Sequence, residues 1–290
     1  MTIEKSEAVS LVDAADQLDV HYMTAYRYVR TGRMIATKRA GQWWVSPADI
    51  AAVIAARSAQ RPIKAQRPSS APALTKKSRE MHVESFVSRL IVGDTAGCWA
   101  AVTTALHSGA PPAHIYRDLI EPAMIQIGEG WSQGTVSVAE EHRATASTLR
   151  LIGQMGPLFR HRGRRNGTII VGAVAGDHHS VPSAMLADFL CDLRFDVVDL
   201  GGNAPADSFI DVARDVEDLI GLGLGASLNA NLAAAIDQAR TIKAALPEVF
   251  VLVGGSTFAN ASDAELLATV DAVSRTAADA CASFQLVANA

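Results

Sequence analysis

The chain has 290 residues, of which 49% are hydrophobic and 19% are charged, and its formal net charge is −4 at pH 7. This composition is typical of globular proteins with more than one domain. No apolar run approaches the roughly 20 residues that a membrane-spanning helix needs, and the first residues lack a secretory signal pattern, so we expect a cytoplasmic protein. Cys98, Cys191 and Cys281 are too far apart for a zinc or disulfide pattern, and we expect buried thiols.

The charge is distributed unevenly along the chain. Residues 1–80 carry a net charge of +6, whereas the remainder carries −10. A basic N-terminal unit attached to an acidic body favours a polyanion as a partner.

The N-terminal segment is predicted to contain two short helices at 11–20 and 21–30, separated by a tight turn. Two strands follow at 35–39 and 42–45, and a third helix begins at Pro47. Small and apolar side chains are spaced so that the first two helices pack together, which predicts a helix-turn-helix followed by a β-hairpin.

Residues 57–80 are predicted to form a linker, because the segment has three prolines and many small polar residues but no periodic apolar set. Between 81 and 160, apolar residues recur every three or four positions. Short breaks at 93–94, 108–112 and 130–134 divide this stretch, which predicts an antiparallel four-helix bundle.

Residues 161–290 contain short apolar runs that alternate with amphipathic stretches. The runs lie at 168–174, 195–200, 218–224, 249–253 and 271–274. Because each run is too short for a helix and is followed by a helical pattern, the segment predicts an α/β domain with a doubly wound parallel sheet. We expect its ligand at the carboxyl ends of the strands.

The first of these strands is followed by Asp177, His178, His179 and Ser180. An Asp two residues before a His can accept the imidazole Nδ1–H, which fixes the tautomer and leaves Nε2 free for a metal. Exposed histidines at a capped helix start are the alternative interpretation. The position at a strand end favours a metal ligand.

The basic segment resembles the winged helix-turn-helix of MerR-type and excisionase-type regulators, through A-x-x-L-x-V at 15–20, the turn at 32–33 and W-x-V-x-x-x-D-I at 43–50. The resemblance implies a DNA-binding domain over 1–56, with base contacts from α-helical residues and phosphate contacts from the others. The implied residues are Tyr22, Thr24, Arg27 and Tyr28 for bases, and Arg30, Arg33, Lys38, Arg39 and Gln42 for phosphates. A small protein-interaction module is the alternative.

The sheet segment resembles the cobalamin-binding domain of corrinoid enzymes, in which D-x-H-x-x-G, S-x-L and G-G follow three strands. The corresponding residues here are Asp177, His179, Ser180, Gly223, Gly225, Gly254 and Gly255. The resemblance implies that His179 is the lower axial ligand of cobalt, that Asp177 orients it, and that the last two glycines lie along the nucleotide tail. Pro182 replaces the final Gly of the first motif, and Gly-Leu-Gly replaces S-x-L, which implies a roomier and less polar slot.

The helical segment contains Trp131, nine intervening residues, and then Glu141 and His142. This pattern resembles the light-sensing, adenosylcobalamin-dependent repressors of the CarH and LitR type. The resemblance implies that these residues and Val138 cover the upper face of the cofactor. It also implies a homo-oligomeric, non-enzymatic repressor that binds operator DNA. Well-known members have a cobalt-binding His after the Trp, and this chain has Ser132 there.

Two alternatives remain open at this stage. The first is a corrinoid methyl-carrier protein, which also combines a helical cap with such a sheet. The second is a regulator that binds a bilin or another tetrapyrrole, alone or beside cobalamin.

Overall fold

The computed structural model describes residues 8–18, 20, 22–30, 32–39, 42–59, 76–258 and 267–289. The chain divides into two compact units, Met1–Ala73 and Leu74–Ala290. Within the described ranges, no helix has the length and apolar character needed to cross a membrane.

The N-terminal unit combines three helices with a small antiparallel sheet of strand order β1-β3-β2. Its elements are β1 (Val9–Ser10), α1 (Leu11–Gln17), α2 (Tyr22–Arg30), β2 (Ala36–Arg39), β3 (Gln42–Val45) and α3 (Pro47–Ala59). The Ser10 hydroxyl accepts the Asp13 amide and so caps α1. The predicted helices and strands of this segment are present. Residues 60–75 of the predicted linker and the side chains of Arg27 and Arg30 lie outside the described residues.

The second unit begins with a helical domain. It contains α4 (Lys76–Val92), α5 (Thr95–His107), α6 (Pro112–Ile115), a π-helical segment (Tyr116–Ile120), α7 (Glu121–Ser132) and α8 (Val138–Met155). Ser137 and Glu140 form a reciprocal capping box that starts α8. The interior is filled by fully buried side chains such as Leu90, Ile127 and Leu151. The predicted helical domain is therefore confirmed.

A five-stranded parallel sheet of order β5-β4-β6-β7-β8 follows. Its strands are β4 (Thr168–Ala173), β5 (Asp196–Asp199), β6 (Leu219–Gly225), β7 (Phe250–Gly254) and β8 (Ala272–Ser274). Its helices are α9 (Val181–Asp192), α10 (Ala206–Asp215), α11 (Leu232–Ala245) and α12 (Ala277–Ala288). The predicted Rossmann-like parallel sheet is confirmed. Its inner strands β4, β6 and β7 are largely apolar because helices cover both faces, whereas the edge strand β5 begins and ends with an exposed aspartate.

The two faces of the sheet have separate cores. Ile170 and Leu222 pack with α10 and α11 on one face, whereas Ile169, Val171 and Leu252 pack with α9 and α12 on the other. Alternate residues along each strand thus point to opposite faces.

The helical domain and the sheet domain share a core through α9. Val181, Met185 and Cys191 of α9 belong to the same buried cluster as the interior of the bundle. The buried Tyr116 hydroxyl donates to the Asp188 carboxylate at 2.6 Å. The second unit is therefore one packed body in which α9 is the shared wall.

The three thiols do not form a site. All three are free: Cys98 and Cys191 are buried and Cys281 is half-buried. Burial raises the pKa of the Cys98 and Cys281 thiols to about 11. The expectation of buried thiols is confirmed for Cys98 and Cys191, whereas Cys281 is only half-buried.

Candidate functional site

The loop after β4 places Asp177 and His179 in direct contact. Asp177 is completely buried, and its Oδ1 accepts the His179 Nδ1–H at 2.6 Å and the His179 amide at 3.0 Å. Its Oδ2 accepts the amide of Ser227 from the loop after β6. The carboxylate is thus held by three donors from two loops, and the imidazole is held through Nδ1.

Hydrogen bonding controls the charge state of this pair. Burial alone would raise the pKa of Asp177, but the bonds from His179 and Ser227 outweigh it and lower that pKa to about 2. The hydrogen bond to Asp177 raises the pKa of His179 despite its partial burial. A permanently ionised carboxylate therefore accepts from Nδ1, which makes Nε2 the ring nitrogen available to a metal.

The adjacent residues His178 and His179 differ in their contacts. The His179 side chain is 44% exposed, so a ligand can reach its ring although the partner carboxylate is completely buried. His178 is exposed, and the structure shows its backbone against Gly202. Both histidines are thus exposed, and His179 differs from His178 in that its Nδ1 is bound to the buried Asp177 carboxylate.

Small residues form one row across the carboxyl edge of the sheet. Ala173 pairs with Gly225, Gly225 with Gly254, and Gly254 with Ser274. The row points to the face covered by α9 and α12, because Val171, two residues before Ala173 on β4, packs on that face. The side chains along this edge of the sheet, where the loop of His179 begins, therefore occupy very little volume.

The predicted glycines differ in the space around them. A methyl group on Gly225 would make ordinary contacts, at 3.6 Å from the Gly172 carbonyl oxygen, whereas one on Gly254 would overlap the Ser274 hydroxyl. Gly255 has φ +114°, and a side chain there would collide with the Ala226 carbonyl. Gly223 faces the ring of Phe284. Of the two glycines in the row, Gly225 is thus the one at which an added methyl group would fit without overlap.

Two buried polar groups near this edge have no hydrogen-bond partner among the described residues. They are Asn231 Nδ2, in the segment after β6, and Thr257 Oγ1, in the short helix after β7. The Asn231 side chain lies beside Gly176, directly before Asp177. Unsatisfied donors and acceptors at a ligand-binding edge fit a polar ligand that would complete them.

The helical domain supplies a second set of side chains on α7 and α8. Trp131 and Val138 are 45% and 55% exposed, so both leave apolar surface open to solvent. Glu141 accepts from His142 Nδ1 and from the Thr145 hydroxyl, both at 2.7 Å. The Glu141 carboxylate also contributes to the raised pKa of His179, so the start of α8 lies near the sheet-domain histidine.

The remaining predicted residues occupy ordinary positions. Ser180 is the N-cap residue of α9, although its hydroxyl makes no capping bond. Pro182 lies in the first turn of that helix, where proline is tolerated. The Ser132 hydroxyl donates to the Glu129 carbonyl at 2.8 Å. In the N-terminal unit, the described side chains of the predicted set lie on α2, on the hairpin or just before it; they are Tyr22, Thr24, Tyr28, Arg33, Lys38, Arg39 and Gln42.

Comparison with known proteins indicates the type of cofactor. A family model described as a B12 binding domain matches residues 167–285, and a second B12 binding domain model matches residues 83–154. Trimethylamine corrinoid protein 1 of Methanosarcina mazei is 29% identical over 119 residues, which is 40% of this chain and 55% of that protein. Trimethylamine corrinoid protein 2 of Methanosarcina acetivorans is 28% identical over 120 residues. The chain thus spans about half the length of the curated relatives it matches.

One solved structure shows the same fold. The Methanosarcina barkeri monomethylamine corrinoid protein matches with a TM-score of 0.61 at 16% identity, over 72% of this chain and 99% of that chain. A chain of the methanol:cobalamin methyltransferase complex of the same organism matches with a TM-score of 0.40 at 16% identity, over 81% of this chain and 93% of that chain.

The fold and the site define a cobalamin-binding body, with a helical domain joined to a Rossmann-like parallel sheet. Its cofactor is of the cobalamin type. The residues present fit this group, because the hydrogen bond from Nδ1 of His179 to Asp177 leaves Nε2 available to coordinate the cobalt of a corrin. Among the described residues, no three His, Cys, Asp or Glu side chains form a metal-holding group. The alternative of a bilin receives no support from these matches.

The resemblance to CarH and LitR regulators is wrong. The relatives are methanogen corrinoid proteins, and the two matching family models describe B12 binding and not a helix-turn-helix. Operator DNA is therefore also wrong as the partner. This error has a physical reason. A basic surface with an exposed hairpin can bind more than one kind of ligand. The motif on α7 and α8 describes a surface that contacts a cofactor and says nothing about the process in which the protein takes part.

Sequence reasoning missed several residues of the site, among them Ser227, Asn203 and Ser274. Ser227 is the first polar residue after β6, and Asn203 lies in the turn after β5. The rule that ligands bind at the carboxyl ends of strands could have identified both. Ser274 is the last residue of β8, so the same rule could have identified it, although its place in the row depends on the pairing of β7 with β8.

Proposed function

We propose that this chain is a corrinoid carrier protein in which His179 is the lower axial ligand of cobalt. The observation that carries the proposal is the buried Asp177 carboxylate, which holds the Nδ1 side of the imidazole and leaves Nε2 for the metal. The row of small residues from Ala173 to Ser274 would accommodate the nucleotide tail between the sheet and the helices α9 and α12.

The helical domain would cover the opposite face of the corrin. Trp131 and Val138 offer exposed apolar surface, and Glu141 and His142 offer a paired carboxylate and imidazole. Such a surface can shield a small group on the upper side of the metal from water. We infer that these four residues contact the upper ligand rather than the lower one.

Methyl transfer is the activity that the relatives' names support best. When bound, the cobalt supplies the chemistry, because it accepts a methyl group from one partner and gives it up to another. The chain would bind and orient the cofactor, while methyltransferase partners would bind the donor and acceptor. On this proposal the protein is a carrier and is not an enzyme by itself. Its oligomeric state and its cytoplasmic location stay predictions.

The experiment is methylation of the reduced, cobalamin-loaded full chain. A corrinoid methyltransferase and a methylated amine are added, and the absorption spectrum is followed as the Co(I) form is converted to the methylated form. Conversion in the wild type and in His178→Ala, with loss of cofactor loading in His179→Ala, supports the proposal. A loaded wild type that is methylated by free methyl iodide, but not by a methyltransferase with any methylamine donor, would overturn the carrier function.

A further inference from the structure

Asn203 contacts the loop of the axial histidine with both its backbone and its side chain. Its amide donates to the Asp177 carbonyl at 2.6 Å, and its Oδ1 accepts the Gly176 amide at 2.7 Å. Gly176 and Asp177 lie between the end of β4 and the histidine pair. The Asn203 side chain therefore binds the Gly176 amide, and the Asn203 backbone binds the Asp177 carbonyl, so the groups on either side of the Gly176–Asp177 peptide bond are held from the loop after β5.

The backbone of Asn203 is suited to this contact. Its φ is +58°, in the left-handed region, where asparagine and aspartate are tolerated better than other residues with a side chain. The preceding Gly202 lies against the backbone of His178, and a methyl group there would come within 2.9 Å of the His178 carbonyl. The turn after β5 is thus packed directly against the loop that carries the histidines.

A second amide side chain holds the same loop from another direction. Gln238 of α11 is buried, and its Oε1 accepts the Ala175 amide at 3.1 Å while its Nε2 donates to the Ala204 carbonyl at 3.0 Å. The consecutive amides of Ala175 and Gly176 are therefore both bound by side chains from outside the loop. The loop cannot shift without breaking these bonds.

We propose that Asn203 is a positioning residue for the cobalt ligand His179, acting through the backbone of Gly176 and Asp177. The inference rests on the proposed role of His179 and extends it to a residue on a different strand connection. A loop that is already fixed in the binding geometry loses little conformational freedom when the imidazole binds the metal. Loss of the Asn203 side chain should therefore weaken coordination even though Asn203 does not touch the imidazole.

The test uses three variants of the full chain. Asn203→Gly keeps the left-handed backbone and removes Oδ1, whereas Asn203→Asp keeps an oxygen acceptor at the same place. Asn166→Ala is the matched control, because the Asn166 side chain makes one comparable bond, to the Leu193 carbonyl at 2.9 Å, at the opposite end of the strands. Each protein is produced with ¹⁵N-labelled histidine and loaded with cobalamin in the Co(II) state.

The readout is the electron paramagnetic resonance spectrum, in which coordination by a ¹⁵N-histidine splits each cobalt line into a doublet and the cofactor's own ¹⁴N base splits it into a triplet. We expect doublets in the wild type and the control, a reduced doublet fraction with about tenfold weaker cobalamin binding in Asn203→Gly, and recovery in Asn203→Asp. A loss of thermal stability alone would not change the doublet fraction of the bound protein.

The outcomes separate the two claims. A wild type that shows triplets overturns the assignment of His179 as ligand, and the inference with it. A wild type with doublets and an Asn203→Gly variant with the same doublet fraction and affinity overturns only the role of Asn203. A loss of the same size in Asn166→Ala also overturns the role of Asn203, because the loss of any side-chain hydrogen bond in this domain would then weaken coordination.

Discussion

The lower and upper parts of the cobalamin site are organised differently. Below the proposed metal position, Asp177 is completely buried and its carboxylate accepts three hydrogen bonds, one of which fixes the imidazole of His179. Above it, Trp131 and Val138 are about half exposed, and the side chain of His142 is 75% exposed. The hydrogen bonds around His179 are already formed in the cofactor-free chain, whereas the side chains proposed for the upper face are open to solvent.

This difference has a functional meaning for a carrier. A lower ligand that stays in place throughout a cycle gains from a rigid setting, because preorganisation strengthens binding. An upper face that must exchange a small group with partner proteins gains from a surface that is not closed by its own side chains. The following predictions test whether the two parts differ in energy as they do in structure.

The largest effect is expected at His179. His179→Ala removes the protein nitrogen below cobalt, so cobalamin affinity should fall by more than about 100-fold, beyond the range typical of residues that only orient a ligand. Equilibrium titration followed by absorption spectroscopy measures it. His178→Ala is the matched control, since the exposed His178 has no comparable carboxylate contact, and it should bind within about twofold of the wild type. Equal losses in the two variants would contradict the ligand assignment.

The next effect concerns Asp177 in the protein without cofactor. Its pKa is lowered from 3.8 to about 2, so its contribution to stability is present above about pH 4 and is lost as the pH falls towards 2. The raised pKa of His179 gives a contribution that is complete below its unfolded value of 6.5 and is lost as the pH rises through the folded value.

Both contributions therefore coincide between about pH 4 and pH 6.5. Asp177→Asn should lower the free energy of unfolding of the second unit by about 2 kcal/mol in this window, and by less on either side. Denaturant unfolding at pH 3, 5.5 and 8 measures the difference. A loss that is the same at all three pH values would show that the pair acts by packing and not by charge.

Sequence patterns predicted the contact between Asp177 and His179 better than the contacts that surround this pair. The D-x-H spacing and the strand end before it determined the Asp177 and His179 contact, because both residues lie in one short loop. The donors from Ser227 and Asn203 come from other loops, and the row of small residues depends on the register of four strands. Such contacts are set by tertiary packing, which no local pattern encodes. The wrong assignment of a DNA partner has the same origin, since a fold and a surface charge do not determine function.

A smaller effect is expected when the row of small residues is blocked. The methyl group of Gly225→Ala meets only ordinary contacts, and Gly225→Val adds volume towards α9 and α12. Cobalamin affinity should fall about tenfold in the valine variant, because added side-chain volume costs roughly 1 to 3 kcal/mol in a packed site. Cobinamide lacks the nucleotide tail and should bind both variants like the wild type. A parallel loss for cobinamide would place the tail elsewhere.

The smallest effect tests the connection between the two parts. Glu141 belongs to the helical domain, yet its carboxylate contributes, after Asp177, to the raised pKa of His179. A negative charge nearby stabilises the imidazolium, so Glu141→Gln in the cofactor-free chain should lower the pKa of His179, and Asp177→Asn should lower it further. NMR titration of the imidazole resonances measures both shifts. Glu140→Gln is the matched control, because the Glu140 carboxylate is bound to Ser137 at the cap of α8. If Glu140→Gln shifts the pKa of His179 as much as Glu141→Gln does, the start of α8 does not face the histidine, and the helical domain would not cover the metal from above.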